Sequence, residues 1–350
     1  MQLINDLLNT PRATKRPEPP VDLVFIDENT PGIRRKRHGS DFIYRHAETG
    51  SFVNAGDRSR IESLGIPPAW RTVWICPEPN GYLQATGLDE GERKQYRYHP
   101  AWRAYRERTK FHSLTDFGAK LPRIRRRIRR VFSEHSQPDA QLVTAALVRL
   151  LDNAPLRIGN AAYADSALGA STLKKRNVQL AGRRLHLDYT AKGGKRVRRQ
   201  IKDSRLLQIL DTIDDLPGKA LFRYVGPDGD ARQLRSEQVN SWLQKITASE
   251  HITAKTFRTW AGSLAAFERA VDEETLTIKA MSVAAAKELR NTPAVARKSY
   301  IHPAIVELKK ADFDARKKLR ADLSESACDL TLMETAMLRF LAKPQSKRIT

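Results

Sequence analysis

Arg93-Lys94-Gln95-Tyr96-Arg97-Tyr98-His99-Pro100-Ala101-Trp102 is the stretch where the chain changes its period, and that change decides the fold class. Before Pro100 the apolar residues come in short runs: Leu23-Val24-Phe25-Ile26, Asp41-Phe42-Ile43-Tyr44, Thr72-Val73-Trp74-Ile75-Cys76 and Tyr82-Leu83-Gln84-Ala85-Thr86. Pro31-Gly32, Gly56, Pro67-Pro68 and Pro79-Asn80-Gly81 punctuate them, which predicts a small, mostly antiparallel β domain. After Pro100 the spacing turns helical, with helices expected over 102–114, along Leu121 to Phe132, and over 139–152, 203–216, 236–249, 256–271, 274–290, 303–319 and 330–341. One compact sheet interrupts them, its strands Val178-Gln179-Leu180, Leu185 to Thr190 and Arg196 to Ile201. Gly193-Gly194 predicts a two-residue hairpin turn flanked by Lys192 and Lys195. The fold class is α+β: a small β-rich N-terminal domain and a larger, mainly α-helical domain carrying a small antiparallel sheet. The expected division is a proline-rich arm over 1–20, the β-rich domain over 21–100, the helical domain over 101–342 and a tail over 343–350, with a linker near Pro100 to Trp102.

At 350 residues the chain is long enough for two domains with a sizeable core. Its 62 Lys and Arg against 40 Asp and Glu leave a formal charge of +22, which points to a polyanionic partner, DNA or RNA first. An anionic membrane surface is the competing partner, but no apolar run approaches the ~20 residues of a spanning helix. The N-terminus lacks a secretory signal, so a cytoplasmic, nucleoid-associated protein is expected. Cys76 and Cys328 stand alone, and His38, His99, His112 and His302 form no HxxxH pair. No metal site and no cofactor is expected, and both cysteines read as free buried thiols.

Several basic segments ask for an anion. Lys94, Gln95, Tyr96 and Tyr98 alternate bases with aromatics, as a groove-reading segment would, or as a solvated segment whose tyrosines pack inward. Ile124, Ile128, Val131 and Phe132 mark an amphipathic helix whose other faces hold six arginines and no acid. Backbone phosphates are the favoured counter-anion there, with Arg125 and Arg126 as contacts. Arg157 sits among apolar residues just past a helix end, so it either pairs with an internal acid such as Asp152 or faces an anionic ligand. Arg258 lies at the edge of a buried face formed by Phe257, Trp260, Ala261, Leu264 and Ala265. Tyr300, in Lys298-Ser299-Tyr300-Ile301-His302-Pro303, reads in isolation as an ordinary half-buried tyrosine. A phenol of pKa ~10 becomes a useful nucleophile only beside cations that also hold its electrophile, and a phosphodiester fits.

Leu156-Arg157-Ile158-Gly159-Asn160, Tyr189-Thr190-Ala191-Lys192-Gly193-Gly194-Lys195, Lys255-Thr256-Phe257-Arg258-Thr259-Trp260 and Lys298-Ser299-Tyr300 resemble, in this order, the active-site motifs of type IB DNA topoisomerases. The bacterial, poxvirus-like branch is the most similar, and Gly87-Leu88-Asp89 leading into Arg93 to Tyr98 resembles its N-terminal DNA-contacting motif. The likeness extends from about Val21 to about Leu319. It implies that Tyr300 attacks the scissile phosphodiester to give a 3′-phosphotyrosyl link, that Arg157 and Arg258 hold the nonbridging oxygens, and that Lys192 protonates the leaving 5′ oxygen. It also implies a monomer acting on double-stranded DNA, relaxation without ATP or metal, and DNA contacts from Lys195 and Lys255. Asn291 falls where poxvirus and eukaryotic relatives carry a histidine, so its role is that of an uncharged phosphate stabiliser. Tyrosine recombinases and integrases resemble the same domain, but they usually carry HxxR where this chain has Lys255 before Arg258, and a helical N-terminal domain. A non-catalytic DNA-binding protein would need no tyrosine at position 300.

Overall fold

The computed structural model describes Pro20 and residues 22–160, 167–321 and 329–343. The expected arm, apart from Pro20, the expected tail beyond Lys343, and Cys328 lie outside the described residues. Two compact units divide the chain, one over Arg16–Lys110 and the other taking up at Phe111.

The first unit contains β1 (Ile33–His38), β2 (Asp41–His46), α1 (Ala55–Ser63), β3 (Arg71–Ile75), β4 (Leu83–Leu88) and β5 (Lys94–Tyr98). They form one five-stranded sheet in the order β2-β1-β3-β4-β5, antiparallel at every pairing. Alternation in β3 sends Val73 and Ile75 into one apolar cluster with Ile33, Tyr44, Ile61 and Ala85, and sends Trp74 and Cys76 into another with Leu83. One strand is added here and one expected strand shrinks. The basic run Arg34 to Arg37 is itself a strand, because Arg35 turns inward and donates to the carbonyls of Ile66 (3.2 Å), Pro67 (3.0 Å) and Trp70 (2.7 Å). Leu23 to Ile26 contributes only an isolated bridge from Val24 to Gly81.

A single helix, α2 (Pro100–Glu134), begins in the first unit and runs into the second. It replaces both the expected linker at Pro100 to Trp102 and the two separate helices expected after it. Pro122 lies inside it and, having no N–H, forfeits one bond of the helical ladder without ending the helix. Beyond it come α3 (Ala140–Asn153), short 3-10 turns at Ala170–Thr172 and Lys175–Asn177, β6 (Val178–Ala181), β7 (Arg184–Ala191), β8 (Lys195–Ile201), α4 (Ser204–Asp214) and the small hairpin β9 (Arg223–Val225) with β10 (Ala231–Gln233). Among the described residues seven further helices follow: α5 (Ser236–Thr247), α6 (Ala254–Asp272), α7 (Ile278–Leu289), α8 (Pro293–Tyr300), α9 (Pro303–Glu307), α10 (Phe313–Ala321) and α11 (Leu332–Ala342). Their core is continuous, built from Phe117, Leu121, Ile124 and Ile128 of α2, the apolar face of α3, Phe257, Trp260 and Phe267 of α6, and Met337 and Phe340 of α11. None of the described helices is long and apolar enough to cross a membrane.

The arginine row of α2 is not one phosphate-facing surface. Arg125 donates to both oxygens of Asp152 at 2.9 Å each, to both oxygens of Glu334 at 2.8 and 2.9 Å, and to the Asp329 carbonyl at 2.6 Å. With its guanidinium occupied inside the fold, Arg125 is a structural cation that ties α2, α3 and α11 together, which corrects its assignment as a DNA contact. Arg126 remains half exposed, 3.5 Å from the Asp329 carboxylate.

Candidate active site

Arg157 lies in the extended segment after α3. Its backbone is pinned by the 3-10 turn at Ala170–Thr172, where the Ala170 N–H donates to Arg157 O at 2.8 Å and the Ser171 N–H to Ile158 O at 2.7 Å. Gly159 is required there, at φ +89°, with a Cβ position only 2.8 Å from Thr172 Oγ1. The Arg157 guanidinium donates through Nη2 to Asn291 Oδ1 at 2.9 Å. Of the two alternatives for Arg157, the Asp152 pairing is therefore not the one taken, since that carboxylate is held by Arg125 and Arg149.

Asn291 follows α7, whose C-cap residue Arg290 is left-handed at φ 51°, and the Asn291 N–H closes the helix on Ala286 O at 3.0 Å. With its carbonyl oxygen spent on Arg157, the amide nitrogen Nδ2 is buried without a hydrogen-bond partner. An orphaned buried donor beside two arginines is suited to an anionic oxygen.

Arg258 is on the first turns of α6 and is 4 % exposed. It donates to Pro155 O and, at 3.1 Å, to Leu289 O, and its Nε is buried without a partner. The guanidinium carbon stands 5.1 Å from the centre of the Tyr300 ring, and the side chain also hydrogen-bonds the phenol. Tyr300 ends α8, a helix started by Thr292 as N-cap and Pro293 in its first turn. Two α6 residues seat it. Gly262 lets α8 approach, since a Cβ there would lie 3.0 Å from Tyr300 Cβ and 2.8 Å from Leu289 Cδ1. Ser263 Oγ donates to Tyr300 O at 2.9 Å and accepts from the His302 N–H at 3.0 Å.

The two tyrosines of this cluster respond oppositely. Burial pushes Tyr189 up to about 12, and the nearby charges of Arg258, Arg199 and Arg157 only partly offset that. Burial pushes Tyr300 up as well, but the charge and hydrogen bond of Arg258, with Arg157 and Lys255 behind it, reverse the sign and hold its phenol below the ordinary 10. Arg258 is itself held down by burial. The more easily ionised phenol is thus the one touching Arg258.

Lys192 is exposed in the loop between β7 and β8. Ala191 pairs with Lys195, so the turn has three residues rather than the two expected, with Gly193 at φ 80° and Gly194 at φ 71°. Lys192 lines one cleft with Arg157, Lys195, Arg258 and Tyr189, and the same cleft takes in Arg199, Glu288 and Arg290, which sequence reading passed over. Period-two alternation could have found Arg199, since it shares the inward face of β8 with Val197 and Ile201. Lys255 is exposed in the first turn of α6.

The expected DNA contacts of the first unit lie along the edge strand β5. Tyr96 and Tyr98 stack at 6.0 Å on its open face, 47 % and 36 % exposed. Lys94 pairs there with Glu28, while Gln95 points the other way and donates to Asp89 at 2.9 Å. In the second unit Arg126 joins Arg123, Arg127, Arg130 and Lys245 around a groove of about 430 Å³ with Trp242 and Gln141. Among the described residues no three His, Cys, Asp or Glu side chains gather as metal ligands.

Residues 99–326 match the family described as eukaryotic DNA topoisomerase I, catalytic core, and residues 41–89 match the bacterial DNA topoisomerase IB N-terminal domain. The chain is also similar to DNA topoisomerase 1B of Acanthamoeba polyphaga mimivirus, at 30% identity over 297 residues, 79% of this chain and 87% of the relative. A family match over most of its length, on a chain whose two units have the expected β-rich and helical characters, means that this protein belongs to the type IB DNA topoisomerases.

Proposed function

We propose that this topoisomerase relaxes supercoiled duplex DNA with Tyr300 as its nucleophile. The phenolate oxygen forms a bond to the scissile phosphorus while the bond to the 5′ oxygen breaks, leaving a 3′-phosphotyrosyl strand and a free 5′ hydroxyl. Lys192 supplies the proton that this 5′ oxygen takes up. Arg157, Arg258 and the Asn291 amide bind the nonbridging oxygens as negative charge accumulates, and two planar guanidinium forks suit that geometry better than point charges. Religation reverses each step, and because the phosphodiester energy is kept in the covalent link, no ATP is consumed.

The observation that carries this reading is the phenol of Tyr300, lowered below its ordinary value although it is buried, under the guanidinium of Arg258. The matched bacterial N-terminal domain and the viral relative support a place in the bacterial, poxvirus-like branch. We read the protein as a monomer working on cytoplasmic, nucleoid DNA, with the exposed Tyr96 and Tyr98 in the first unit, and Lys195, Lys255 and Arg126 in the second, as contacts to duplex DNA. Binding then weakens steeply with salt as neutralised phosphates release counterions.

The test is incubation with negatively supercoiled plasmid in EDTA without ATP, stopped with denaturant. Relaxed topoisomers and protein attached to 3′ ends are expected; attachment to 5′ ends, or a need for ATP, would overturn the reading. A second expectation concerns Gly262. A Gly→Ala change inside a helix normally adds about 1 kcal/mol of helix stability, yet here the new methyl would lie 2.8 Å from Leu289 Cδ1 and 3.0 Å from Tyr300 Cβ, so one of them must give way. Gly262→Ala should slow single-turnover cleavage at least about tenfold by displacing Tyr300, with duplex affinity unchanged; unaltered cleavage would mean that this packing does not set the tyrosine's position.

A further inference from the structure

The hairpin that carries Lys192 has an inward face made of Leu185, Leu187, Tyr189 and Ala191 on β7 and Lys195, Val197, Arg199 and Ile201 on β8. Arg199, opposite Leu187, is a cation in an otherwise mostly apolar row. Its Nη2 donates to the backbone carbonyl of Glu288 and, at 3.0 Å, to the Glu288 carboxylate. A return contact runs from Arg290 Nη2 to Arg198 O at 3.4 Å. Strand β8 and the end of α7 are therefore bonded in both directions, immediately before Asn291. Glu288 is the one carboxylate among the residues that line the catalytic cleft.

A plain helix cap accounts for the Arg199 bond to the Glu288 carbonyl but not for its bond to the Glu288 carboxylate. The last carbonyls of a helix lack internal donors, but α7 already ends on the left-handed Arg290 and the Asn291 N–H to Ala286 O bond, and Arg258 takes Leu289 O. Arg199 also leaves its Nε buried without a partner, which costs stability that a purely structural residue could avoid. What Arg199 and Glu288 add is registration of the hairpin on α7. Lys192 projects from a loop with two left-handed glycines, so its reach is set by the strands that carry the loop.

We propose that Arg199 and Glu288 are positioning residues for the leaving-group proton: by clamping β8 to the end of α7 they hold Lys192 in register with Asn291, and so with the phosphate. This rests on Lys192 being the general acid. A displacement of about 1 Å at a reacting group costs roughly 10²-fold in rate, and here it falls on proton delivery alone.

The experiment compares single-turnover cleavage of a duplex with the normal 5′ oxygen and one with sulfur at that position. A thiolate, conjugate to an acid of pKa about 8.5, departs without a proton. Glu288→Ala and Arg199→Ala should cleave the oxygen substrate roughly 10²-fold more slowly while cleaving the sulfur substrate nearly as fast as the unsubstituted chain. Arg199→Lys, which keeps the charge, should recover part of the loss. Equal slowing on both substrates overturns the proposal, since damage to the fold or to phosphate binding acts on both alike, and so does an unchanged oxygen rate. Lys192→Ala is the reference: if sulfur does not rescue it, the general-acid assignment of Lys192 falls and takes the positioning role with it, whereas rescue of Lys192→Ala without rescue of Glu288→Ala removes the positioning role alone.

Discussion

Tyr300→Phe is expected to abolish plasmid relaxation, by a factor of about 10⁴ or more, while duplex affinity stays within a few-fold. The ring and its seat on Gly262 and Ser263 are kept, because both contacts are made through the backbone and Cβ of residue 300. Only the hydroxyl and its hydrogen bond to Arg258 are lost, and Arg258 still holds Pro155 O and Leu289 O, so the fold should survive. Tyr189 cannot take over, since burial raises it to about 12. Ultraviolet titration of tyrosinate gives an independent check: the variant should lack one phenol that ionises below 10 in the unsubstituted chain. Residual relaxation by the phenylalanine variant would remove Tyr300 from the mechanism.

Arg125→Ala should give the largest loss of stability, about 3–5 kcal/mol, and a Tm lower by roughly 10 °C. Asp152 and Glu334, 6 % and 5 % exposed, would be left as buried carboxylates without their main cation. The effect has a defined pH dependence. Burial raises Glu334, but the hydrogen bonds and charge of Arg125 win and hold it below the ordinary 4.5. A depressed carboxylate contributes stability above its unfolded pKa and loses it as pH falls through the folded one. In the variant, burial is left to act with less opposition, so Glu334 binds a proton more readily and the gap to the unsubstituted chain narrows as pH drops below 4.5. Urea unfolding at pH 7 and pH 4 measures both. The salt dependence of DNA binding should not change; a slope reduced by about one would return Arg125 to the phosphate-contacting role that its sequence context suggested.

That contrast shows where the sequence was readable. The period change near Pro100 revealed two units of different character, because strand and helix alternations differ at the level of neighbouring residues. Arg157 and Arg258 stood out as arginines beside apolar runs, whereas Lys192, Asn291 and Tyr300 were picked out by the resemblance of short motifs, in their order, to those of type IB topoisomerases. Arg125 was misread because the acids that neutralise it lie 27 and 209 residues away, outside any window in which charge is balanced by eye. Gly262 and Ser263 were passed over for a related reason: a glycine and a serine on a buried helix face carry no sign of the tyrosine packed against them. Arg34 to Arg37 was not singled out as a strand, since nothing nearby announces the carbonyls of Ile66, Pro67 and Trp70 that receive Arg35.

The reach of Arg125 also bears on how the chain is made. Its second carboxylate, on Glu334, is translated 209 residues after the arginine itself. At about 5–20 residues per second that is an interval of roughly 10–40 s on the ribosome. Until α11 emerges, α2 and α3 can associate only with a guanidinium that has two of its five hydrogen bonds, those to Asp152, and the Thr331 cap that orients Glu334 does not yet exist. The helical unit therefore completes its ion cluster only once α11 has been made, and a ribosome stalled short of α11 would present a nascent domain in which Arg157, Lys192, Arg258, Asn291 and Tyr300 have all been translated but whose interior is still open to proteolysis.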